Sequence, residues 1–231
     1  MFGRRKRVVV AYDTNQDTGL FTQGMNTIRA LRMAGFEVKP VSVYEPRKED
    51  VVLVISTIHH VKPWVEKARR VYAYVPIEGY IKPEYVDYIQ ALRNAYSVAT
   101  VSDFSRQFLA RVRGDVAVIP LGIDVEAFKC SGEERVFDLG IVLSASHVST
   151  EELGIRKGFD LYDKFLASSG YSVIANKYVM YYLKHWGKVS LITSDIRDIY
   201  CSSRAVLWLS RSEGYGLVPL EAMASGTPAI Y

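Results

Sequence analysis

The chain has no apolar run approaching the ~18 residues that a membrane-spanning helix needs. The basic residues near its start are followed by an apolar stretch too short for a secretory leader. A cytoplasmic protein is therefore expected, with peripheral attachment at the inner membrane surface as the alternative. Cysteine is scarce: Cys130 and Cys201 stand alone, without metal-type spacing, and are expected as free thiols. There is no Asp-x-Asp pair to suggest a divalent cation, no G-x-G-x-x-G, no internal repeat and no low-complexity tract. An excess charge of one sign is also nearly missing. Lys plus Arg number 29 against 25 for Asp plus Glu, and Arg4, Arg5, Lys6 and Arg7 account for the whole excess of +4. That balance speaks against an extended nucleic-acid face, so no nucleic-acid partner is expected. The N-terminal cluster is either a solvated flank or a contact for an anionic lipid surface.

Apolar, β-rich runs alternate with helical patterns along the chain. Strands are predicted at 8–12, 38–44, 51–56, 71–75, 97–101 and 116–120, with helices at 24–34, 60–70, 84–94 and 103–111. The strands are continuously apolar, which suits a parallel sheet covered on both faces. Residues 122–135 are polar and turn-rich and read as a linker. The pattern then restarts, with strands at 138–143, 171–175, 189–193, 205–210 and 229–231 and helices at 158–167, 178–185, 195–200 and 217–225. The expected organisation is an N-terminal Rossmann-like domain, 1–125, and a second one, 136–231. Ligands of such folds bind at the carboxyl ends of the strands, here in a cleft between the two domains.

The most informative segment is 210–228, S-R-S-E-G-Y-G-L-V-P-L-E-A-M-A-S-G-T-P. A strand enters a turn where Gly214 and Gly216 lack Cβ atoms and let a ligand approach the backbone. A helix should then start at Leu217, with Pro219 in its first turn and Gly226 as its stop. Its orphan N–H groups and positive dipole end favour a phosphate. Glu221 would lie roughly 6 Å along the axis from Leu217 at 1.5 Å per residue. Glu213 stays before the turn. Two acceptor-only carboxylates flanking an anion site suit a ligand with hydroxyls at both ends and phosphate between them.

This segment resembles the E-x7-E motif of the retaining glycosyltransferases of GT-B fold usually numbered family 4, S-x-x-E-G-F-G-L-x-x-L-E-A-M-A-x-G-x-P. Other segments resemble the same family: V-S-D-F-S-R-Q-F-L from 101, V-I-P-L-G-I-D-V-E-A-F from 118, where Leu121 replaces the usual Asn, and R-K-G-F-D-L from 156. The resemblance implies an α/β protein of GT-B fold, two Rossmann-like α/β/α domains with the acceptor side first and the donor side second. It also implies a C-terminus shorter than typical, since relatives continue beyond the strand that follows the motif helix.

By that resemblance, Glu213 would hold the donor sugar, Glu221 the ribose, and Lys157 with the helix mouth at Gly216 and Leu217 the departing diphosphate, with Gly214 and Tyr215 among the substrate-binding residues. Lys157 is expected at a helix start before Gly158. The second basic residue of many relatives is missing after the preceding strand, and His147 or Arg156 would stand in. Gly19 and Gly24, in the loop after the first strand, are candidates for close approach to phosphate, although a plain turn explains them equally. His59, beside His60, is a candidate contact to the donor sugar, and Glu78 takes the place where relatives often show a histidine. Tyr72, Tyr74 and Tyr80 read as core and rim.

The implied activity is transfer of a sugar from a nucleotide diphosphate sugar to an acceptor hydroxyl with retention of configuration. The donor is a substrate, and no cofactor or metal is implied. The acceptor would be a glycan, lipid or protein. The alternatives are a non-catalytic nucleotide-sugar binder, a GT-B-fold epimerase and, least favoured, a glycoside hydrolase using the glutamate pair.

Overall fold

The computed structural model describes residues 7–16, 18–77, 86–144 and 150–231. The chain forms two compact units, one of Met1–Gly122 with Glu213–Tyr215, the other of Ile123–Ser212 with Gly216–Tyr231. Glu78, Tyr80, His147, Arg4, Arg5 and Lys6 lie outside the described residues.

The first unit holds six parallel strands: β1 (Arg7–Tyr12), β2 (Glu37–Ser42), β3 (Val51–Ile55), β4 (Arg70–Tyr74), β5 (Ser97–Thr100) and β6 (Ala117–Val118), in the order β2-β1-β3-β4-β5-β6. Register is tight, with Val10 opposite Pro40 on one side and Leu53 on the other. Pro40 is tolerated because β2 is an edge strand. Helices α1 (Gly19–Met33), α2 (Ile58–Lys67), α3 (Val86–Asn94) and α4 (Asp103–Leu109) connect the strands. One sheet face packs Val52, Val54, Trp64 and Leu92; the other packs Val10, Ile28, Ile55 and Val101. Trp64 is fully buried and its indole N–H donates to the Val43 carbonyl at 3.0 Å, so its polar edge is satisfied inside the core.

The second unit has β7 (Phe137–Ile141), β8 (Val173–Asn176), β9 (Leu191–Thr193), β10 (Ser203–Leu207) and β11 (Ala229–Ile230), all parallel, in the order β11-β10-β7-β8-β9. Its helices are α5 (Val125–Phe128), α6 (Thr150–Lys157), α7 (Phe159–Ser168), α8 (Val179–Tyr182), α9 (Ile196–Ser202) and α10 (Leu217–Ala224), with a 3₁₀ turn at Trp186–Lys188. Apolar layers cover both faces, Ile141, Tyr162 and Leu166 on one and Ile174, Tyr200 and Val206 on the other.

Four expectations are corrected. The stretch read as a linker contains the short helix α5 and, from Ile123 on, belongs to the second unit. Helix α6 was not predicted, so Lys157, which directly precedes the Gly158 cap of α7 as expected, also closes a helix of its own. Helix α1 begins at Gly19, because the Thr18 hydroxyl caps it by accepting from Phe21 N–H at 3.1 Å. Gly24 consequently lies inside the helix. Finally, Cys130 and Cys201 are not free: they form a disulfide between the end of α5 and α9. Among the described residues, Cys130, Glu133 and Cys201 bring three metal-type ligand atoms within 4.8 Å of one another, but the disulfide engages both sulfurs.

Candidate donor and acceptor sites

Each sheet reverses its strand order once, and crevices for ligands form at such points. In the second unit the reversal lies between β7 and β10, so the segments after these strands face one another: 142–144 after β7, and 208–212 with Gly216 and α10 after β10.

Helix α10 is built as the sequence predicts. Gly216 caps it at φ +92°, a left-handed conformation that glycine adopts without penalty. Pro219 occupies the first turn, where its missing N–H removes only an orphan donor. The amides of Leu217 and Val218 have no intrahelical acceptors at this end. Gly226 at φ +71° ends the helix. One turn inside, Glu221 is 8% exposed, and its Oε2 accepts a 2.6 Å hydrogen bond from the Tyr200 hydroxyl on α9. Burial raises the Glu221 carboxyl from its ordinary value to about 6, although the Tyr200 bond pulls the other way. Burial, reinforced by the Glu221 carboxylate beside it, raises Tyr200 well above the usual phenol range. A carboxylate that titrates at about 6 and is held by one partner has remaining lone pairs for ligand hydroxyls.

Arg135 locks this region from behind. Its guanidinium donates to the Ser203 carbonyl at 2.6 Å, to the Gly226 carbonyl at 3.0 Å and to the Thr227 hydroxyl. A cation is thus placed at the C-terminal ends of α9 and α10, where the dipoles favour it.

Lys157 sits at the joint between α6 and α7 and lines a small pocket with Val142, Leu143, Ser144, Phe159, Tyr162 and Trp208. Gly158 makes the joint possible. Its φ is +70°, and a Cβ there would overlap the Leu209 carbonyl. Three side chains that sequence reasoning missed fix the surroundings. Asn176 exchanges hydrogen bonds with the Leu143 backbone, accepting from its N–H at 3.2 Å and donating to its carbonyl at 2.6 Å. Tyr162 donates to the Leu207 carbonyl at 3.2 Å and accepts from Leu209 N–H at 3.0 Å. Arg211 grips Asp160 with two 2.7 Å bonds and donates to the Ile155 carbonyl at 2.8 Å. That ion pair holds the Asp160 carboxyl below its ordinary value. The Arg156 carbonyl accepts from Arg211 N–H at 2.8 Å, so Arg156 is part of the same joint. No short motif announces Asn176, Tyr162, Arg211 or Tyr200, because each acts across the fold.

The turn Glu213–Tyr215 belongs to the first unit. The Ser102 hydroxyl, which caps α4 by accepting from Ser105 N–H at 3.1 Å, donates to the Gly214 carbonyl at 2.7 Å. A Cβ on Gly214 would stand 3.3 Å from the Ile77 carbonyl, so the turn is closely seated. Glu213 is half-buried and Tyr215 exposed.

In the first unit the reversal falls between β1 and β3. Asp13, buried, accepts from Asn15 N–H at 2.9 Å, from the Thr18 hydroxyl at 3.2 Å and from the Tyr44 hydroxyl at 2.9 Å. Desolvation, with Asp13 as partner, pushes the Tyr44 phenol up to about 12. The His60 ring stands edge-on to Tyr44, and its Nδ1 is 2.7 Å from the Ser56 hydroxyl. His59 is at the start of α2, 3.4 Å from the Thr57 hydroxyl and edge-on to Tyr88. Gly19 is exposed at the first position of α1. Gly24 faces the Tyr12 ring, which occupies the space of a Cβ; packing accounts for that glycine. Tyr74 is core, as predicted, with its hydroxyl donating to the Ile119 carbonyl at 2.5 Å.

Residues 184–231 match the profile of the family described as "Glycosyl transferases group 1". No curated protein matches the chain significantly. Among solved structures, the chain is similar to the catalytic domain of starch synthase IV from Arabidopsis thaliana bound to ADP and acarbose. The TM-score is 0.66 at 11% identity, covering 97% of this chain and 82% of that one. It is also similar to an α-glucosyltransferase in complex with UDP and a 13-mer DNA containing an HMU base. Here the TM-score is 0.60 at 13% identity, covering 98% and 79%. TarM matches at TM-score 0.56 and 11% identity over 78% of this chain, which spans 40% of TarM's length. The architecture is GT-B: two Rossmann-like α/β units.

Proposed function

We propose that the protein transfers a sugar from a nucleotide diphosphate sugar to an acceptor hydroxyl with retention of anomeric configuration. The observation that carries this reading is the coincidence, within the matched stretch 184–231, of the E-x7-E sequence with a buried Glu221 one turn inside a helix that Gly216 caps in the left-handed conformation.

In this reading Glu221 accepts from the ribose hydroxyls and Glu213 from those of the sugar. The Leu217 and Val218 amides and the Lys157 ammonium receive the diphosphate. As the C1–O bond breaks, its electron pair moves to the diphosphate, and a dipole end with a fixed cation stabilises the growing charge. The acceptor oxygen bonds to C1 on the same face, and its proton passes to the departing phosphate oxygen. The acceptor is a glycan, lipid or protein hydroxyl; the DNA-bound structural neighbour keeps nucleic acid among the candidates to test. The polar group around Asp13, Tyr44 and His60 is where the first unit would meet it.

Incubation with a panel of nucleotide sugars, following nucleotide release with Glu213→Ala and Lys157→Ala as controls, tests the proposal. Release from at least one donor, lost in both variants, is expected. Binding without release would support a non-catalytic binder, and an altered sugar on an intact nucleotide would support an epimerase. No binding to any donor would defeat the reading altogether.

A further inference from the structure

The segment joining β8 to β9 carries an exposed set of aromatic and basic side chains, in which the Tyr178 ring stands 6.2 Å from that of Tyr181 and lies under the Lys177 ammonium at 5.3 Å. Inward, Val179 and Leu183 are buried, and Tyr182 stacks on Phe159 with ring centroids 4.7 Å apart. Outward, Tyr181 is 69% exposed, Trp186 44% and Met180 42%. Lys177, Lys184 and Lys188 are interleaved with them and exposed. No acidic residue occurs anywhere from Lys164 to Ser194. On the neighbouring helix α7, the Asp163 carboxylate is engaged by His185, accepting from its backbone N–H at 3.0 Å.

We infer that this face docks on an anionic lipid bilayer, with Tyr181, Trp186 and Met180 entering the headgroup boundary and the three lysines meeting lipid phosphates. Tryptophan, tyrosine and lysine are the side chains that settle at such a boundary, because each has an apolar body and a polar end. Charge complementarity names the occupant: a run without a carboxylate favours an anionic surface. A nucleic acid would use the rings and the lysines but would leave Met180 without a role. The inference does not depend on nucleotide binding.

The test uses the whole chain with vesicles of phosphatidylcholine, with and without phosphatidylglycerol. Of the three tryptophans, Trp64 and Trp208 are buried and Trp186 is exposed, so quenching by brominated acyl chains reports on Trp186. Partition onto the anionic vesicles only, with quenching that disappears in Trp186→Phe, is expected. The combined variant Lys177→Gln, Lys184→Gln, Lys188→Gln alters only exposed side chains; an unchanged melting curve shows that it folds. It should lose on the order of 100-fold in partition. Replacing Arg4, Arg5, Lys6 and Arg7 by Gln should leave the quenching in place. Equal partition onto neutral vesicles, no partition, or full partition by the lysine variant would overturn the inference. So would loss of quenching on changing the N-terminal cluster alone, or tighter binding to a single-stranded oligonucleotide than to vesicles.

Discussion

Glu221 carries a measurable signature. Its folded pKa of about 6 lies above its ordinary 4.5, so the protonated form favours folding. The resulting stability, roughly 2 kcal/mol, is fully present below pH 4.5 and is lost as pH rises through about 6. Glu221→Gln should remove that slope from denaturant titrations run between these limits. If the ionised form is the one that binds ribose, nucleotide affinity runs the opposite way. At pH 5 only about a tenth of Glu221 is ionised, so the dissociation constant should be about tenfold weaker than at pH 7. Calorimetry in buffers of different ionisation enthalpy would detect the released proton. Tyr200→Phe removes the bond that lowers the Glu221 pKa, so the midpoint of the affinity profile should move to higher pH. An unmoved midpoint would mean that Glu221 does not titrate on binding. Glu221 was legible because a short motif names it. Tyr200 was not, since it lies 21 residues earlier and matters only through the packing of α9 on α10.

Among the elements, the joint between α6 and α7 holds Lys157 in place. Gly158→Ala puts a Cβ into the Leu209 carbonyl at a positive φ, and should destabilise the protein by about 3 kcal/mol or more in equilibrium unfolding. Arg211→Ala is a different probe: the Arg211–Asp160 pair is exposed, so the melting temperature should barely move. Donor affinity should nevertheless fall as the Lys157 joint loosens. Lys157→Ala itself should weaken donor binding by about 10- to 100-fold, the worth of a hydrogen bond from a charged group. Parallel strands could be read from the sequence because burial on both faces makes them continuous apolar runs, as in β3. Strand β6 was over-read at five residues, since only Ala117 and Val118 pair with β5. Helix α6 escaped notice because T-E-E-L-G-I-R-K has only two large apolar residues and an internal glycine, too little to mark a face.

At the scale of the molecule, the disulfide links Cys130 to Cys201 over a separation of 71 residues, all within the second unit. No spacing rule could have paired them. On the chain-entropy account a loop of this length is worth about 4 kcal/mol. Native protein should therefore show no free thiol by titration. Reduction, or Cys130→Ser with Cys201→Ser, should lower hydrogen-exchange protection in β8 and β9 while leaving β3 and β4 protected. Two titratable thiols in the native protein would refute the pairing.

The chain changes unit at Gly122, again at Ser212 and once more at Tyr215. Severing it at Ile123 would therefore not yield a self-contained second unit. Such a fragment would carry Glu213, Gly214 and Tyr215 as orphans, stripped of the Ser102 hydroxyl and the Ile77 carbonyl against which Gly214 is seated. The conformation of the first motif glutamate is thus on loan from sequence more than a hundred residues upstream, Ser102 and Gly214 being separated by 112.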